Sequence, residues 1–421
     1  MGKKLLLILL TFIITPLYAQ NGWFTQSSGT SLTLNSVFML SDNTGYIGGG
    51  DILIDNSNTL DRGAILKTTN GGINWFNLVP PTFDKIIHSV YFVNEQTGYA
   101  VGRDNNSYAI FKTTNEGSSW IQQTPPAVTM TPPLNSVYFF NPNTGYTAGT
   151  GGAVFYTSDG GTNWISRNLS FFTNLTAIYF TDVNTGFLSA DNSVLKTTNG
   201  GTDWDTTLFA AARTFKSVKF LTQNTGYAVG GSSVYMTING GLNWTIVSLP
   251  GNDLQTVFFP SVATGYTAGI GNGIYKTIDE GENWTLQSQT GSNAINSMYF
   301  INDTLGYAVG NGGMILKTIN GGSVGITNLS TEIPDMHILK QNYPNPFNPE
   351  TNIEYSIPEN SDVRLTLYDA SGKTVFEFFR GFQTAGTYRY KFNAAGLAGG
   401  VYFYRLLAGD FSSAKKMILL K

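Results

Sequence analysis

Short runs of alternating apolar and polar residues, each ended by a turn-forming pair, fill most of the chain between residues 30 and 320. The stretch from 136 to 166 illustrates the pattern. Residues 136–140 alternate, residues 146–149 and 153–157 form two further apolar runs, and residues 163–166 form a fourth. Alternation with a period of two is typical of strands with one buried face. The pattern therefore predicts four short strands joined by tight turns.

The same four-strand unit recurs seven times. A Thr-Gly-aromatic step marks each copy, with Leu305 replacing the threonine in the last, and the glycines lie 39–53 residues apart at Gly45, Gly98, Gly145, Gly186, Gly226, Gly265 and Gly306. A second signature, most often Thr-x-Asn-Gly-Gly, follows each step and leads to a tryptophan in six copies. A period near 40 residues with four strands per unit is typical of propellers. We therefore predict an all-β fold whose residues 20–327 form a seven-bladed β-propeller.

Both signatures contain turn-forming residues. Asn and Asp side chains bond to the following backbone amides, and glycine adopts positive φ without steric penalty. The aromatic residues that follow are expected to fill the space between neighbouring sheets.

The seventh copy starts at Lys317 and has no tryptophan of its own, whereas Trp23 near the N-terminus belongs to no copy. Residues 22–25 resemble the outer-strand segments 74–77 and 163–166. We predict that Trp23 completes the seventh blade from the opposite end of the chain, which would leave no open sheet edge. The alternative is that residues 323–327 supply this strand.

The N-terminus predicts export. Lys3 and Lys4 precede an apolar run of about ten residues (5–14), which is too short to span a bilayer. We predict a signal peptide over residues 1–19, cleaved between Ala19 and Gln20; an N-terminal membrane anchor is the alternative. A lipid anchor is excluded because no cysteine is present.

Composition limits the kinds of ligand and site that the protein can have. Charged residues make up 12% of the chain, against roughly 25% in average proteins. The net charge of −3 argues against nucleic-acid binding. The chain has no cysteine and two histidines, His88 and His337, so thiolate sites are excluded and we expect no metal and no cofactor. His88 is expected to be a structural residue where an inner strand begins.

The repeat pattern stops before residue 331. Residues 341–349 hold three prolines within six residues, and 328–349 are predicted to be a linker. Strand-like runs then fill residues 350–421, which predicts a small C-terminal β-sandwich of the immunoglobulin-like kind.

Two family resemblances sharpen these predictions. The Asn-Gly-Gly signature resembles the Asp-box turn, although Asn replaces Asp in most copies, and residues 22–327 resemble the photosystem II stability and assembly factor propellers. That resemblance implies binding of protein partners without catalysis. Residues 342–349, 351–358, 367–373 and 400–405, with the closing segment 415–421, resemble the type A C-terminal sorting domain of the type IX secretion system. The implied partner is the type IX machinery, with Lys415, Lys416 and Lys421 in the sorting signal. The alternatives are an ordinary adhesive or stalk sandwich for the module and a solvated face for these lysines.

The sequence contains no convincing group of catalytic residues. A sialidase needs three arginines around a carboxylate, but the four arginines of the propeller lie in no matching context. A glycoside hydrolase needs two facing carboxylates, for which Asp51, Asp55, Asp61 and Asp104 lie in suitable loops. No serine lies in a nucleophile elbow.

The loops after the second strands vary most between copies, and variable loops on a rigid frame are where recognition usually occurs. We therefore predict a secreted or surface-located, non-catalytic, monomeric binding propeller that contacts membranes only during export. Its ligand would be a protein or glycan, bound through Asp61, Arg62, Arg103 and Asp104. The alternative is a secreted glycoside hydrolase of an Asp-box propeller type.

Overall fold

The computed structural model describes residues 22–420 apart from 56–57, 81, 106, 125–132, 168, 251–252, 272, 289–292, 323–325, 331 and 395–396. These residues are almost wholly strand and turn, and the short 3-10 segments Thr150–Gly152 and Asn311–Gly313 are the helical pieces among them. Within this part of the chain, no helix has the length and apolar character needed to cross a membrane.

The repeats contain the first 26 strands. In the first three repeats and before them these are β1 (Phe24–Gln26), β2 (Leu34–Met39), β3 (Gly45–Asp55), β4 (Asn58–Thr68), β5 (Phe76–Asn77), β6 (Ile86–Phe92), β7 (Gly98–Asp104), β8 (Ser107–Thr113), β9 (Ile121–Gln122), β10 (Leu134–Phe139), β11 (Gly145–Gly149), β12 (Val154–Thr157) and β13 (Ile165–Ser166). The remainder are β14 (Leu175–Phe180), β15 (Gly186–Thr197), β16 (Asp205–Phe220), β17 (Gly226–Gly230), β18 (Ser233–Thr237), β19 (Thr245–Ser248), β20 (Asp253–Phe258), β21 (Gly265–Ile270), β22 (Ile274–Thr277), β23 (Thr285–Ser288), β24 (Ile295–Phe300), β25 (Gly306–Gly310) and β26 (Ile315–Thr318).

Successive strands of each repeat pair antiparallel into sheets. Four-stranded sheets form in the orders β2-β3-β4-β5, β6-β7-β8-β9, β10-β11-β12-β13 and β20-β21-β22-β23. The fourth and fifth repeats share one six-stranded sheet. β15 spans the second and third strand positions of the fourth repeat, and β16 continues from the outer strand of the fourth repeat into the inner strand of the fifth. The inner strands of four repeats share one pattern of buried and half-buried residues, with one face in the core, as the sequence pattern predicts.

The seventh repeat draws its fourth strand from the N-terminus. β1 pairs antiparallel with β26, placing Phe24 opposite Lys317, and the sheet order is β1-β26-β25-β24. Trp23 is 5% exposed, and its ring meets Phe300 edge-on at 5.8 Å. This arrangement agrees with the predicted role of Trp23. Of the alternative segment 323–327, residues 326 and 327 pair within the C-terminal module as part of Ile326–Ser330, and 323–325 lie outside the described residues.

Aromatic trios join neighbouring sheets, as predicted. Tyr99 of the second repeat stacks on Phe139 of the third at 3.6 Å between ring centroids, and Trp164 meets Phe139 edge-on at 6.1 Å. The same three positions meet at Tyr46/Phe92/Trp120, Tyr146/Phe180/Trp204, Phe187/Phe220/Trp244, Tyr227/Phe259/Trp284 and Tyr266/Phe300/Trp23. Trp23 therefore occupies the tryptophan position of its trio.

Each Asn-Gly-Gly turn is also held by the preceding repeat. The Tyr99 hydroxyl and Lys112 Nζ both donate to the carbonyl oxygen of Gly160, at 3.1 and 2.7 Å. At the closure, Tyr307 and Lys317 of the last repeat donate to Gly71 of the first, at 2.9 and 2.7 Å. At two turns a single donor is present: Lys196 bonds the carbonyl oxygen of Gly240 at 2.8 Å, and Tyr227 bonds that of Glu280 at 2.7 Å. We call the one or two donors at each turn a clamp.

The glycines of the two signatures have different roles. In the Asn-Gly-Gly turn both glycines adopt positive φ, as Gly71 (66°) and Gly72 (82°) do. The glycine of the Thr-Gly-aromatic step does not, which corrects the expectation of a positive φ there. It is required because an inner-strand side chain covers it: a Cβ on Gly98 would lie 2.6 Å from ring atoms of Phe92.

Gly98→Ala is therefore expected to destabilise the protein by about 1–3 kcal/mol, since a buried ring must move to admit the methyl group. Gly45→Ala is the matched control. Its Cβ would meet the flexible end of Met39 instead, at 2.1 Å from the sulfur, and this side chain can move aside. Thermal melts of both variants test the comparison, and equal losses of stability would contradict it.

The last eight strands form a separate module. They are β27 (Ile326–Ser330), β28 (Ile338–Leu339), β29 (Glu350–Ile357), β30 (Ser361–Asp369), β31 (Thr374–Gln383), β32 (Gly386–Asn393), β33 (Gly400–Ala408) and β34 (Phe411–Leu419). They make two four-stranded sheets, β27-β32-β29-β28 and β31-β30-β33-β34, around one apolar core that includes Ile353, Leu365 and Tyr404. The region predicted as a linker, 328–349, thus contains strand residues of this module, because Ile326–Ser330 and Ile338–Leu339 supply both edges of the first sheet.

Candidate functional site

A cavity opens where the inner strands of repeats one to four begin. Because antiparallel strands alternate in direction, the hairpins between second and third strands open on this same face. The cavity has a volume of about 490 Å³. We call it the mouth cavity; its lining is Asn35, Gly50, Asp51, Ile52, Ile86, His88, Arg103, Pro133, Asn135, Thr150 and Asn174.

A belt of hydrogen bonds between neighbouring inner strands forms its floor. At five repeat boundaries, the residue after the first fully buried inner-strand residue bonds the carbonyl oxygen of the first fully buried residue in the next repeat. Asn35 Nδ2 donates to Ile87 at 3.0 Å, and Asn135 Nδ2 to Leu175 at 2.8 Å. Asn296 of the last repeat donates to Leu34 of the first at 3.0 Å.

His88 belongs to the same belt. Its Nδ1 lies 2.9 Å from the carbonyl oxygen of Leu134, so Nδ1 carries the proton and Nε2 is an acceptor. Burial lowers the pKa of His88 below its usual 6.5 and keeps the ring neutral near pH 7. The structural role expected for His88 agrees with this geometry, although the ring also lines the mouth cavity.

Asp61 and Arg103, two of the four predicted ligand-binding residues, bind each other. Asp61 on β4 is 3% exposed, and its Oδ2 accepts hydrogen bonds from Arg103 Nε and the Asn105 amide, both at 3.0 Å. Arg103 on β7 borders the mouth cavity. Asp61 therefore positions Arg103 across two repeats and is shielded from a ligand itself.

The other two predicted residues lie outside the cavity lining. Asp104 Oδ1 pairs with Lys85 Nζ at 3.0 Å, and Lys85 also bonds Asp84 at 2.6 Å. The hydrogen bond from Lys85 lowers the pKa of Asp84. Burial alone would lower the pKa of Lys85, but its two acidic partners raise it. Arg62 follows Asp61 on β4, and alternate residues of a strand face opposite sides of the sheet.

Sequence reasoning missed the inner-strand contributors Asn35 and Asn135, and Asn174, which directly precedes β14. A signal for the first two was present, since Asn or His follows the first fully buried inner-strand residue in four repeats, at 35, 88, 135 and 296. Aligning the seven inner strands would have placed these residues in one belt.

The cavity chemistry favours hydrogen bonding. Among the described lining residues Asp51 is the one carboxylate, and its Oδ2 accepts the Thr33 amide at 2.8 Å. Glycoside hydrolysis by the usual route needs two carboxylates across the scissile bond. In the described part of the chain, no group of three or more His, Cys, Asp or Glu side chains is placed to hold a metal ion.

The predicted sorting residues lie at the end of the chain. Lys415 and Lys416 are on β34, half-buried and exposed respectively, whereas Lys421, Ala19 and Gln20 lie outside the described residues. The proline-rich segment is tied to this strand: the Gln341 side-chain amide donates to the Lys416 carbonyl at 2.6 Å, and the Ile418 amide donates to Asn345 Oδ1 at 2.9 Å. The segment and the last strand thus form one structural unit.

A family model described as "Secretion system C-terminal sorting domain" matches residues 341–420. These residues are a type IX sorting domain. The sorting domain directs the protein through type IX secretion to the cell surface or the medium, and the type IX machinery is its partner.

Solved structures resemble the chain in fold. YCF48 bound to D1 peptide is 17% identical, with a TM-score of 0.59 over 71% of this chain and 97% of that one. The GH74 xyloglucanase from Xanthomonas campestris is 8% identical, with a TM-score of 0.57 over 79% of this chain and 59% of that one. The extracellular domain of a putative one-component system from B. thetaiotaomicron is 10% identical, with a TM-score of 0.55 over 94% and 59%. At these identities the likeness establishes a β-propeller fold. No curated protein matches the chain.

Proposed function

We propose that this protein is a non-catalytic binding propeller that type IX secretion delivers to the cell surface or medium, where it binds a protein or glycan at the mouth cavity. In this proposal the sheets form a closed ring of seven blades, and the C-terminal module is an immunoglobulin-like sandwich. The observation that carries the proposal is the cavity itself. Its lining combines amide and hydroxyl groups with one braced arginine, Arg103, and one described carboxylate, Asp51.

Two features support recognition of an uncharged or weakly charged polymer. Side-chain amides such as Asn174 and Asn135 present both donors and acceptors, which suits sugar hydroxyls and peptide groups alike. Ile52, 48% exposed at the rim, adds an apolar contact. YCF48, of similar fold, has been solved with a D1 peptide, which supports a protein segment as the ligand class.

Screening the mature protein on a glycan array and against a displayed peptide library tests the proposal. We expect saturable binding to members of one class. Incubation with a panel of polysaccharides, assayed for new reducing ends, is expected to give none. Release of reducing ends would establish the glycoside hydrolase alternative and overturn the non-catalytic assignment.

Once a binder is found, Arg103→Gln is expected to weaken it by roughly tenfold or more, because a hydrogen bond from a charged group contributes about 1.5–3 kcal/mol. Since this substitution also leaves Asp61 without its partner, Ile52→Ser provides a second test at an exposed position. Leu242→Ser is the matched control: Leu242 is 79% exposed in an Asn-Gly-Gly turn at the opposite ends of the strands. Equal loss of affinity in Leu242→Ser and Ile52→Ser would contradict the assignment of the face.

A further inference from the structure

One position of every inner strand, four residues after its first fully buried residue, faces the centre of the repeat array. These residues are Phe38, Tyr91, Tyr138, Tyr179, Lys219, Phe258 and Tyr299, which we call the axial ring. Consecutive aromatic members lie 5.1–5.6 Å apart between centroids, and Phe38 of the first repeat lies 5.1 Å from Tyr299 of the last. The ring is thus continuous, and it lies toward the end of the inner strands away from the mouth cavity.

One member breaks the aromatic pattern. Lys219 occupies the position in the fifth repeat, and its Nζ lies 4.4 Å from the centroid of Tyr179 and 5.3 Å from that of Phe258. Cation–π contacts of this kind hold an ammonium group but satisfy none of its three hydrogen-bond donors.

No acceptor or carboxylate among the described residues pairs with Lys219. This distinguishes it from the lysines of the clamps; Lys276 Nζ, for example, donates to the Gly321 carbonyl at 3.1 Å. Burial is the one cause that lowers the pKa of Lys219, to about 8, and no neighbouring charge contributes. Lys219 is half-buried, and a partly buried ammonium group without a counter-ion is stabilised by an anion supplied from outside the chain.

Phenol groups add further donors at the same level. The hydroxyl of Tyr138 is used, because it donates to the Phe180 carbonyl at 3.0 Å. The hydroxyls of Tyr91, Tyr179 and Tyr299 have no acceptor among the described residues. Burial, together with the proximity of Tyr299 and Tyr179, raises the pKa of Tyr91 to about 12, so these phenols remain protonated donors at neutral pH.

We propose that the axial ring is a binding site for a carboxylate group, held by Lys219 Nζ and phenol hydroxyls, with the apolar part of the ligand against the aromatic faces. One ammonium group matches a monoanion, and hydrogen bonds between charged partners are the strong ones. The carboxylate can belong to a free organic acid or to the C-terminus of a peptide. This site is separate from the mouth cavity and does not depend on the function proposed there.

Isothermal titration of the intact mature protein with benzoate, and with benzamide as its neutral isostere, tests the proposal. Wild-type protein is expected to bind benzoate saturably and benzamide at least tenfold more weakly. A short peptide acid and its C-terminal amide identify the source. Preference for the peptide acid over benzoate would assign a chain terminus, and the reverse would assign a small acid; both support the site.

Two variants locate the binding. Lys219→Tyr introduces the residue that four other repeats carry at this position, and Lys219→Met removes the charge with little change in size. Either is expected to reduce benzoate affinity at least tenfold. Lys216→Met, three residues earlier on the same strand, is the control for general electrostatic attraction and should change affinity less than twofold. Undiminished affinity in a folded Lys219 variant would overturn the proposal, as would failure of wild-type protein to bind either benzoate or the peptide acid.

Discussion

Deletion of residues 22–27 is expected to lower the melting temperature of the mature protein by about 5–15 °C. A buried tryptophan hides about 150–250 Å², and truncating one typically costs about 3–5 kcal/mol. In a domain of this size each kcal/mol moves the melting temperature by roughly 2–4 °C. The deletion also removes β1 and leaves β26 as an unpaired edge.

Point variants distinguish the contribution of the Trp23 side chain to stability from that of strand β1. Trp23→Ala is expected to account for most of the loss, whereas Trp23→Phe should retain much of the packing, since the indole Nε1 has no hydrogen-bond partner in the structure. Thr25→Ala, at an exposed position of β1, should change stability by no more than about 0.5 kcal/mol. Trp164→Ala removes the equivalent tryptophan from a repeat that is continuous in sequence, and its loss of stability is the reference for Trp23→Ala. Differential scanning calorimetry measures all four, and a deletion variant that melts with wild-type protein would refute the closure by Trp23.

A reporter protein fused to residues 326–421 is expected to leave the periplasm of a type IX-competent host and to remain there when residues 411–421 are removed. The last strand pairs along its whole length with β33 and buries Met417 and Leu419 in the core of the module. Its loss exposes that core and removes the partner of the proline-rich segment. Cell fractionation and immunoblotting measure the distribution.

Two further fusions test which parts of the module are needed for stability and for export. A fusion that begins at residue 341 lacks Ile326–Ser330 and Ile338–Leu339 and should be less stable to protease, because β32 and β29 then have open edges. Lys415→Ser with Lys416→Ser tests the predicted sorting residues. Undisturbed export of this variant would mean that the lysines form a solvated face, and periplasmic retention of the intact 326–421 fusion would contradict the assignment of the module.

The repeats were predictable because their determinants are local. A Thr-Gly step, an Asn-Gly-Gly turn and a tryptophan recur at short fixed offsets, and the spare Trp23 was recognisable as the missing member of a counted set. The Thr-Gly glycine shows the limit of such reasoning. Its position in a turn suggested that glycine is needed for a positive φ. The actual reason, that the Phe92 ring leaves no room for a Cβ on Gly98, depends on a contact that the sequence does not reveal.

The site was less predictable because it depends on contacts between repeats. Asp61 looked like an accessible loop acid, but Arg103, 42 positions further along, makes it a buried support. The first strand of the C-terminal module was hidden for a similar reason, since Ile326–Ser330 pairs with a strand some 60 residues later. Lys219 is visible in an alignment of inner strands, yet its separation from every described carboxylate is a property of the assembled ring.

The clamps give the repeat array a direction. Every clamp reaches from one repeat to the next, and the last reaches back to Gly71, 236 residues earlier than Tyr307. In a linear solenoid a terminal repeat can detach while the others stay folded. Here each repeat both supplies a clamp and receives one, so detaching any single repeat breaks contacts on both of its sides. The molecule has no terminal repeat from which unfolding can begin, and this favours loss of structure as one cooperative unit, a useful property for a protein that functions outside the cell, beyond the reach of ATP-dependent chaperones.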